Sequence, residues 1–234
     1  MNNIEIVFEN ENLAIINKPV GLVVNRSSTT KGPTLQDFLE ENILQIEGFN
    51  PESEFYSRSG IVHRLDKDTS GLLVVAKNEE YFDFLQEKFR NREVDKKYLL
   101  MTFNKVLDER FEIDAPLARN PKNRFKYAVV RDGKDAQTYF EKIKDVVIGD
   151  REFSFLYAQP RTGRTHQIRV HLAANSTPVA GDVIYLSERE QEICNSCTIN
   201  RLMLHSLSLK FLGMDGEEFY FETEVPEEFI RLME

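Results

Sequence analysis

Asp66 stands between two cations, Arg64 and Lys67, inside the run Gly60-Ile61-Val62-His63-Arg64-Leu65-Asp66-Lys67-Asp68-Thr69-Ser70-Gly71-Leu72-Leu73-Val74-Val75-Ala76-Lys77. A carboxylate kept beside fixed positive charge stays ionised, and an ionised carboxylate can act as a nucleophile or a base. The apolar runs on either side, Ile61-Val62 and Leu72 to Ala76, are bounded by Gly and read as buried strands. Asp66 is therefore expected in a tight connection beside the core, where desolvation and field can be controlled. Composition alone also fits a simpler role, an Asp that caps a Gly/Ser/Thr-rich turn.

Positive charge is concentrated in two further stretches. Residues 117–134 hold Arg119, Lys122, Arg124, Lys126, Arg131 and Lys134 against one acid, Asp132. Residues 161–171 hold Arg161, Arg164 and Arg169 with no acid. Taken alone, the first stretch reads as a solvated charged loop; next to a catalytic carboxylate it reads as a surface for phosphates. Elsewhere the chain is acidic, with nine acids and four bases in residues 1–60 and eight acids and one base in residues 214–234. The formal net charge of -9 thus conceals a bipolar molecule able to meet a polyanion with one face. Cys194 and Cys197 are spaced as C-x-x-C. A zinc site needs about four ligands and only His205 lies near in sequence, so no metal is expected and the pair reads as reduced thiols in a loop.

The elements that must position these residues are legible from periodicity. Asn12 to Asn17 reads as a strand. Thr34 to Ile46 reads as a helix with Thr34 as N-cap, Asp37 as capping carboxylate, and a stripe of Leu35, Phe38, Leu39, Ile43 and Ile46. Glu47 to Ser59 reads as a polar loop. Glu79 to Asn91 reads as a helix with Phe82, Leu85 and Phe89 inward. Lys97 to Phe103, Ala136 to Ile143 and Glu152 to Ala158 read as strands. Thr165 to Ala174 reads as a helix with Thr165 as N-cap, its N-terminus a natural neighbour for a carboxylate or phosphate. Leu202 to Leu209 and Glu218 to Thr223 read as strands and Glu227 to Met233 as a last helix. This irregular, strand-rich alternation indicates an α+β fold with largely antiparallel pairing.

With 234 residues, 41% hydrophobic and 29% charged, the chain suits one folded domain over 1–234 with a sizeable core. No apolar run reaches the length of a membrane span, and Met1-Asn2-Asn3-Ile4-Glu5 lacks the layout of a secretory signal. A cytoplasmic protein with no membrane partner is expected.

HRLDKDTSGLLVVAK, residues 63–77, resembles the signature of the RluA-type family of RNA pseudouridine synthases. Further blocks similar to that family follow in order: Ile16-Asn17-Lys18-Pro19-Val20-Gly21-Leu22-Val23-Val24, then Lys97-Tyr98, then Gly133-Lys134-Asp135-Ala136-Gln137-Thr138-Tyr139. Gly163-Arg164-Thr165-His166-Gln167-Ile168-Arg169-Val170-His171-Leu172-Ala173-Ala174, Gly181-Asp182 and Leu204-His205-Ser206 complete the set. The resemblance implies the pseudouridine synthase fold, a bent mixed sheet, mostly antiparallel, flanked by helices with a central cleft. It implies an isomerase that detaches uracil from ribose, rotates it and rejoins it through carbon, without metal or cofactor. Asp66 matches the family's catalytic nucleophile. Tyr98 matches the Tyr that packs on the uracil, and Arg164 the base that pairs with the catalytic Asp. Arg64 matches a residue associated with displacing the target nucleotide, and a guanidinium can fill the vacated gap. Lys67, Thr165, Gln167, Arg169, Lys122, Arg124 and Lys126 are expected as RNA contacts. His63, His166 and His171 are expected to be structural. The family's accessory RNA-binding domain before the first motif is expected to be missing. Asn25-Arg26 stands where the family commonly has His-Pro, which bears on substrate identity more than on chemistry.

The expected activity is uridine isomerisation in structured RNA, ribosomal RNA ahead of transfer RNA, by a monomer. A non-catalytic RNA-binding protein is the alternative from another class, and intact Asp66, Tyr98 and Arg164 count against it. A glycosidase-like hydrolase would need a second carboxylate flanking the bond, and Asp68 has no motif support for that part.

Overall fold

The computed structural model describes residues 4–28, 30–44, 50 and 52–234. In chain order the strands are β1 (Glu5–Glu9), β2 (Leu13–Lys18), β3 (Ser70–Ala76), β4 (Asp95–Phe103), β5 (Arg110–Asp114), β6 (Leu117–Arg119), β7 (Tyr127–Val129), β8 (Gln137–Ile148), β9 (Arg151–Pro160), β10 (Leu204–Leu212) and β11 (Glu218–Glu222). The helices are α1 (Leu35–Asn42), α2 (Glu54–Arg58), α3 (Glu79–Arg90), α4 (Gln167–Ala174), α5 (Glu188–Ser196) and α6 (Glu227–Met233). The α+β class read from the sequence is the one observed. The chain divides into two compact units, residues 1–95 with 208–223 and residues 96–207 with 224–234.

In the first unit β2 pairs antiparallel with β1 on one side and β3 on the other, in a register that sets Ile16 against Leu73. All seven residues of β3 are buried, as expected of a strand covered on both faces. β11 pairs antiparallel with the Ser208–Leu212 part of β10, and Phe8 meets Phe221 at 5.1 Å between ring centroids. Helix α3 buries Tyr81, Phe82 and Leu85, with Asn78 as N-cap. Phe89, expected inward, is half-buried and stacks on His63.

The capping box foreseen at Thr34 and Asp37 is present: each side chain takes the other residue's backbone N–H. Helix α1 nevertheless ends at Asn42, with Ile43 as its C-cap, so it is shorter than the expected span; Ile46 lies outside the described residues. Arg26, where the family commonly has Pro, reaches this helix through ion pairs with Asp37 and Glu40. The segment 47–59, read as loop throughout, contains helix α2. Ser53 Oγ caps it by accepting from Tyr56 N, and buried Phe55 anchors it. Ile61 makes an isolated bridge to Val75 instead of opening a strand. Gly60 allows this close return: its φ is +71°, and a Cβ there would lie 2.0 Å from the Ala76 carbonyl oxygen.

In the second unit β4, β9, β8 and β5 pair antiparallel in that order, with Phe140 of β8 against Phe111 of β5 and Ala158 of β9. A bulge between Lys142 and Lys144 breaks the register of β8. The basic stretch 117–134 contains a hairpin, β6 paired with β7, where the sequence alone suggested a loop. Gly133 lets this segment lie against Leu117, since a Cβ would come within 2.7 Å of the Leu117 backbone. Leu117, Ala136 and Val170 then form a small core that carries Tyr127 and Tyr185. Cys194 is buried within α5 and Cys197 is its C-cap, which replaces the expected loop. A Ser187–Glu190 capping box starts α5, a local signal carried by the three-residue spacing of the two side chains.

Candidate active site

Asp66 lies in the first unit, half-buried, in the connection between the Ile61 bridge and β3. Its carbonyl accepts from Thr69 N at 3.2 Å and closes a turn. The next carbonyl, that of Lys67, accepts from Gly21 N at 2.9 Å and from Lys18 Nζ at 3.0 Å. Lys18 is fully buried, at 0% exposure, and also donates to the carbonyls of Pro19 at 2.8 Å and Leu22 at 3.0 Å. An ammonium carries three donors, and these carbonyls replace the water that burial removes. On the other side of Asp66, His63 Nε2 accepts from Val74 N at 3.0 Å while its ring stacks on Phe89 at 4.4 Å. The turn that carries the carboxylate is thus fixed at both ends, by Lys18 and by His63. Arg64 and Lys67 flank Asp66 with exposed side chains.

Sequence reasoning assigned no role to Lys18. A signal for one was available: a lysine two residues after the apolar run Leu13 to Ile16, in the same strand and on the same face as Ile16, can be buried only if its ammonium finds acceptors.

Arg164 lies in the second unit, in the loop that leads into α4. Its side chain is exposed, with Nε donating to the Asp135 carbonyl at 3.0 Å. The loop is held from beneath by Gln167, whose Oε1 accepts from Arg164 N at 3.0 Å and from Thr162 Oγ1 at 2.7 Å. Gln167 Nε2 donates to the Gln137 carbonyl and to Thr138 Oγ1, each at 2.9 Å. His171 extends the chain of bonds, with Nδ1 3.0 Å from Thr138 Oγ1 and Nε2 3.1 Å from the Ala115 carbonyl. Only an Nε2–H tautomer satisfies the carbonyl, so Nδ1 accepts the Thr138 hydroxyl. Burial lowers the pKa of His171, which keeps it neutral in this arrangement.

Two expectations are corrected here. Gln167 and Arg169, anticipated as RNA contacts, are each 4% exposed and occupied inside the protein. Arg169 makes a two-pronged ion pair with Asp182, Nε to Oδ2 at 2.6 Å and Nη2 to Oδ1 at 2.8 Å. Asp182 Oδ1 also accepts from Ile184 N and Tyr185 N. The physical reason is helical spacing: positions 167, 168, 170 and 171 all lie on buried faces of α4, so 169 has no solvent face either. Thr165 is exposed but does not cap the helix. His166, with φ of 56°, is the N-cap residue, and its side chain bonds to Tyr185 Oη at 3.0 Å instead of to the helix.

Tyr98 is 8% exposed on β4, opposite Ala158 of β9. Lys122 and Arg124 are exposed in the β6–β7 loop and Lys126 is half-buried at its end. None of the three is within 4.0 Å of a carboxylate among the described residues, so their charge remains available to an anion. The expected structural roles of the histidines are met for His63, His166 and His171 by the bonds given above.

The first unit carries a braced carboxylate turn; the second carries a buried network under an exposed arginine and a cationic hairpin suited to a polyanion. The comparisons agree. Residues 12–174 match the RNA pseudouridylate synthase family. The chain is 35% identical over 236 residues to the RNA pseudouridine synthase YlyB of Bacillus subtilis, covering 99% of this chain and 72% of that protein. It is also 35% identical over 235 residues to the ribosomal large subunit pseudouridine synthase D of Nitrosomonas europaea, covering 99% of this chain and 64% of the relative. The chain therefore spans about two thirds of the length of these relatives. Among solved structures, human RNA pseudouridylate synthase domain containing 1 superposes with a TM-score of 0.75 at 26% identity, over 96% of this chain and 84% of the other. With its signature carboxylate in the turn and its matched blocks running in order, the chain belongs to the RNA pseudouridylate synthase family, isomerases that convert uridine in RNA to pseudouridine.

Proposed function

We propose that this enzyme converts specific uridines of large-subunit ribosomal RNA to pseudouridine, acting in the cytoplasm as a single-chain catalytic domain without metal or cofactor. The observation that carries the reading is the braced turn at Asp66, together with relatives in Nitrosomonas europaea and Zymomonas mobilis that are named ribosomal large subunit pseudouridine synthase D. Asp66 serves as the nucleophile. Tyr98 packs on the uracil while it is detached and turned. Arg164 serves as the catalytic cation. Arg64 takes the place of the extruded nucleotide, whose unstacking costs a few kcal/mol, and Lys67 and Thr165 contact the RNA near the target. Lys122, Arg124 and Lys126 contact phosphates.

The test is to map pseudouridines across total RNA from a strain lacking this gene, restored with the wild type or with Asp66→Asn. The expected result is loss of one or a few sites in large-subunit ribosomal RNA, regained with wild type and not with Asp66→Asn. Missing sites in transfer RNA alone would overturn the substrate assignment. Restoration by Asp66→Asn would overturn the role of Asp66.

A further inference from the structure

The tip of the β6–β7 hairpin presents Phe125 to solvent at 92% exposure, the highest among the large hydrophobic side chains of the described residues. One exposed apolar side chain is ordinary on a protein surface. Phe125 differs because it is held in place and surrounded by cations. Asn120 Oδ1 accepts from Lys122 N at 2.8 Å and from Asn123 N at 3.2 Å, and Asn123 Oδ1 accepts from Phe125 N itself at 3.1 Å. Backbone bonds from Asn120 N to the Lys126 carbonyl, 2.9 Å, and from Lys126 N to the Asn123 carbonyl, 3.0 Å, close the tip. Arg119 Nη1 donates to the Arg124 carbonyl at 2.9 Å, and its guanidinium lies 5.5 Å from the centroid of the Tyr127 ring. The base of the hairpin is tied to the loop before α4, because Tyr185 Oη accepts from Tyr127 N and bonds to His166, both at 3.0 Å. The ring is therefore projected from a built turn with Lys122, Arg124 and Lys126 close by in the chain.

We propose that Phe125 is a stacking platform for an unpaired base of the substrate RNA, with the neighbouring cations holding the phosphates on either side. Aromatic side chains interleaved with positive charge are how proteins grip single-stranded nucleic acid: the ring takes the face of a base, and the cations take the backbone. A preset tip lowers the entropy lost on binding. The network through Tyr185 and His166 gives the hairpin a fixed relation to the Arg164 loop, so a base seated on Phe125 sets the register of the strand relative to that loop. The proposal rests on the family's RNA substrate and adds a specificity-determining residue to it.

The chain contains no Trp, so Phe125→Trp installs a single indole reporter at the tip. It is titrated with large-subunit ribosomal RNA transcribed in vitro, with filter binding measured in parallel. Stacking predicts quenched emission and protection of the indole from iodide as the RNA binds. Phe125→Ala should weaken binding roughly 5- to 150-fold, the range for loss of one stacked base, while leaving the salt slope unchanged. Replacing Lys122, Arg124 and Lys126 by Ala should do the reverse to the slope, flattening it by about one unit per lost phosphate contact. RNA bound at wild-type affinity by Phe125→Ala, or bound by Phe125→Trp with no change in emission or iodide access, would overturn the platform and leave the RNA substrate standing. Failure of the wild type to bind the transcript at all would overturn the ribosomal substrate first and this proposal with it.

Discussion

The side-chain oxygen of Gln167 accepts the backbone N–H of Arg164 at 3.0 Å. Through this bond a buried residue of α4 fixes the loop that carries the exposed side chain of Arg164. Gln167 Nε2 donates one bond to the Gln137 carbonyl and a second to Thr138 Oγ1, from which the chain runs through His171 to the Ala115 carbonyl, so the network has one consistent set of proton positions.

Gln167→Met should retain the volume of the side chain and lose the network. Arg164 N and the Gln137 carbonyl then lose a buried partner, at a cost of about 1–3 kcal/mol of stability. Turnover should fall more than RNA affinity, because Arg164 is displaced while the cations proposed to contact phosphates, Lys122, Arg124 and Lys126, are untouched. Denaturant unfolding and single-turnover kinetics on ribosomal RNA check the two parts separately. A destabilised protein with normal turnover would mean the loop holds its position without Gln167.

The Arg169–Asp182 pair predicts strong non-additivity. Removing one charge from a buried pair typically costs about 3–5 kcal/mol, since the other is left uncompensated. Arg169→Met and Asp182→Asn should each be severely destabilising, and the double variant should be much less destabilised than the sum of the two. Additive losses in a double-mutant cycle would count the two residues as independent.

Lys18→Met tests the brace under the Asp66 turn. The substitution leaves the Lys67, Pro19 and Leu22 carbonyls without the ammonium, and the expected loss is about 1–3 kcal/mol of stability. Turnover should drop with little change in RNA affinity, since Lys18 has no exposed surface through which to touch substrate. A loss of affinity with intact turnover would contradict the assignment.

His205 gives the protein an acid-sensitive core. Burial first, and the charge of Arg201 second, push its pKa from 6.5 down to about 4. The folded state therefore resists a proton that the unfolded state accepts. The resulting stability is complete above pH 6.5 and is lost as pH falls toward and through about 4. The size is on the order of 3 kcal/mol. His171 is shifted the same way by its own burial. Urea unfolding at pH 7 and at pH 4 should show a smaller loss of stability on acidification for His205→Asn than for the wild type. Equal losses would remove His205 from the acid response.

Much of the fold could be read in the chain because its causes are local. Thr34 and Asp37 are three residues apart and cap one helix turn, Glu227 to Met233 forms the helix expected of it, and Leu72 to Ala76 is the buried strand that the apolar run announced. Asp66 could be placed in a turn at the edge of that strand for the same reason. The division of labour inside the 163–174 block was not legible. Arg164, Thr165, Gln167 and Arg169 all looked fit to act on RNA, and only the tertiary structure separated exposed Arg164 and Thr165 from buried Gln167 and Arg169, beside which His171, expected to be structural, is also buried. Their partners Gln137, Thr138, Asp182 and Ala115 lie between 13 and 56 residues away in sequence. The same holds for Lys18, whose bond to the Lys67 carbonyl spans 49 residues. A sequence specifies which groups need a partner when buried; which distant group meets that need depends on how the strands and helices pack, and that is decided only when the chain closes on itself.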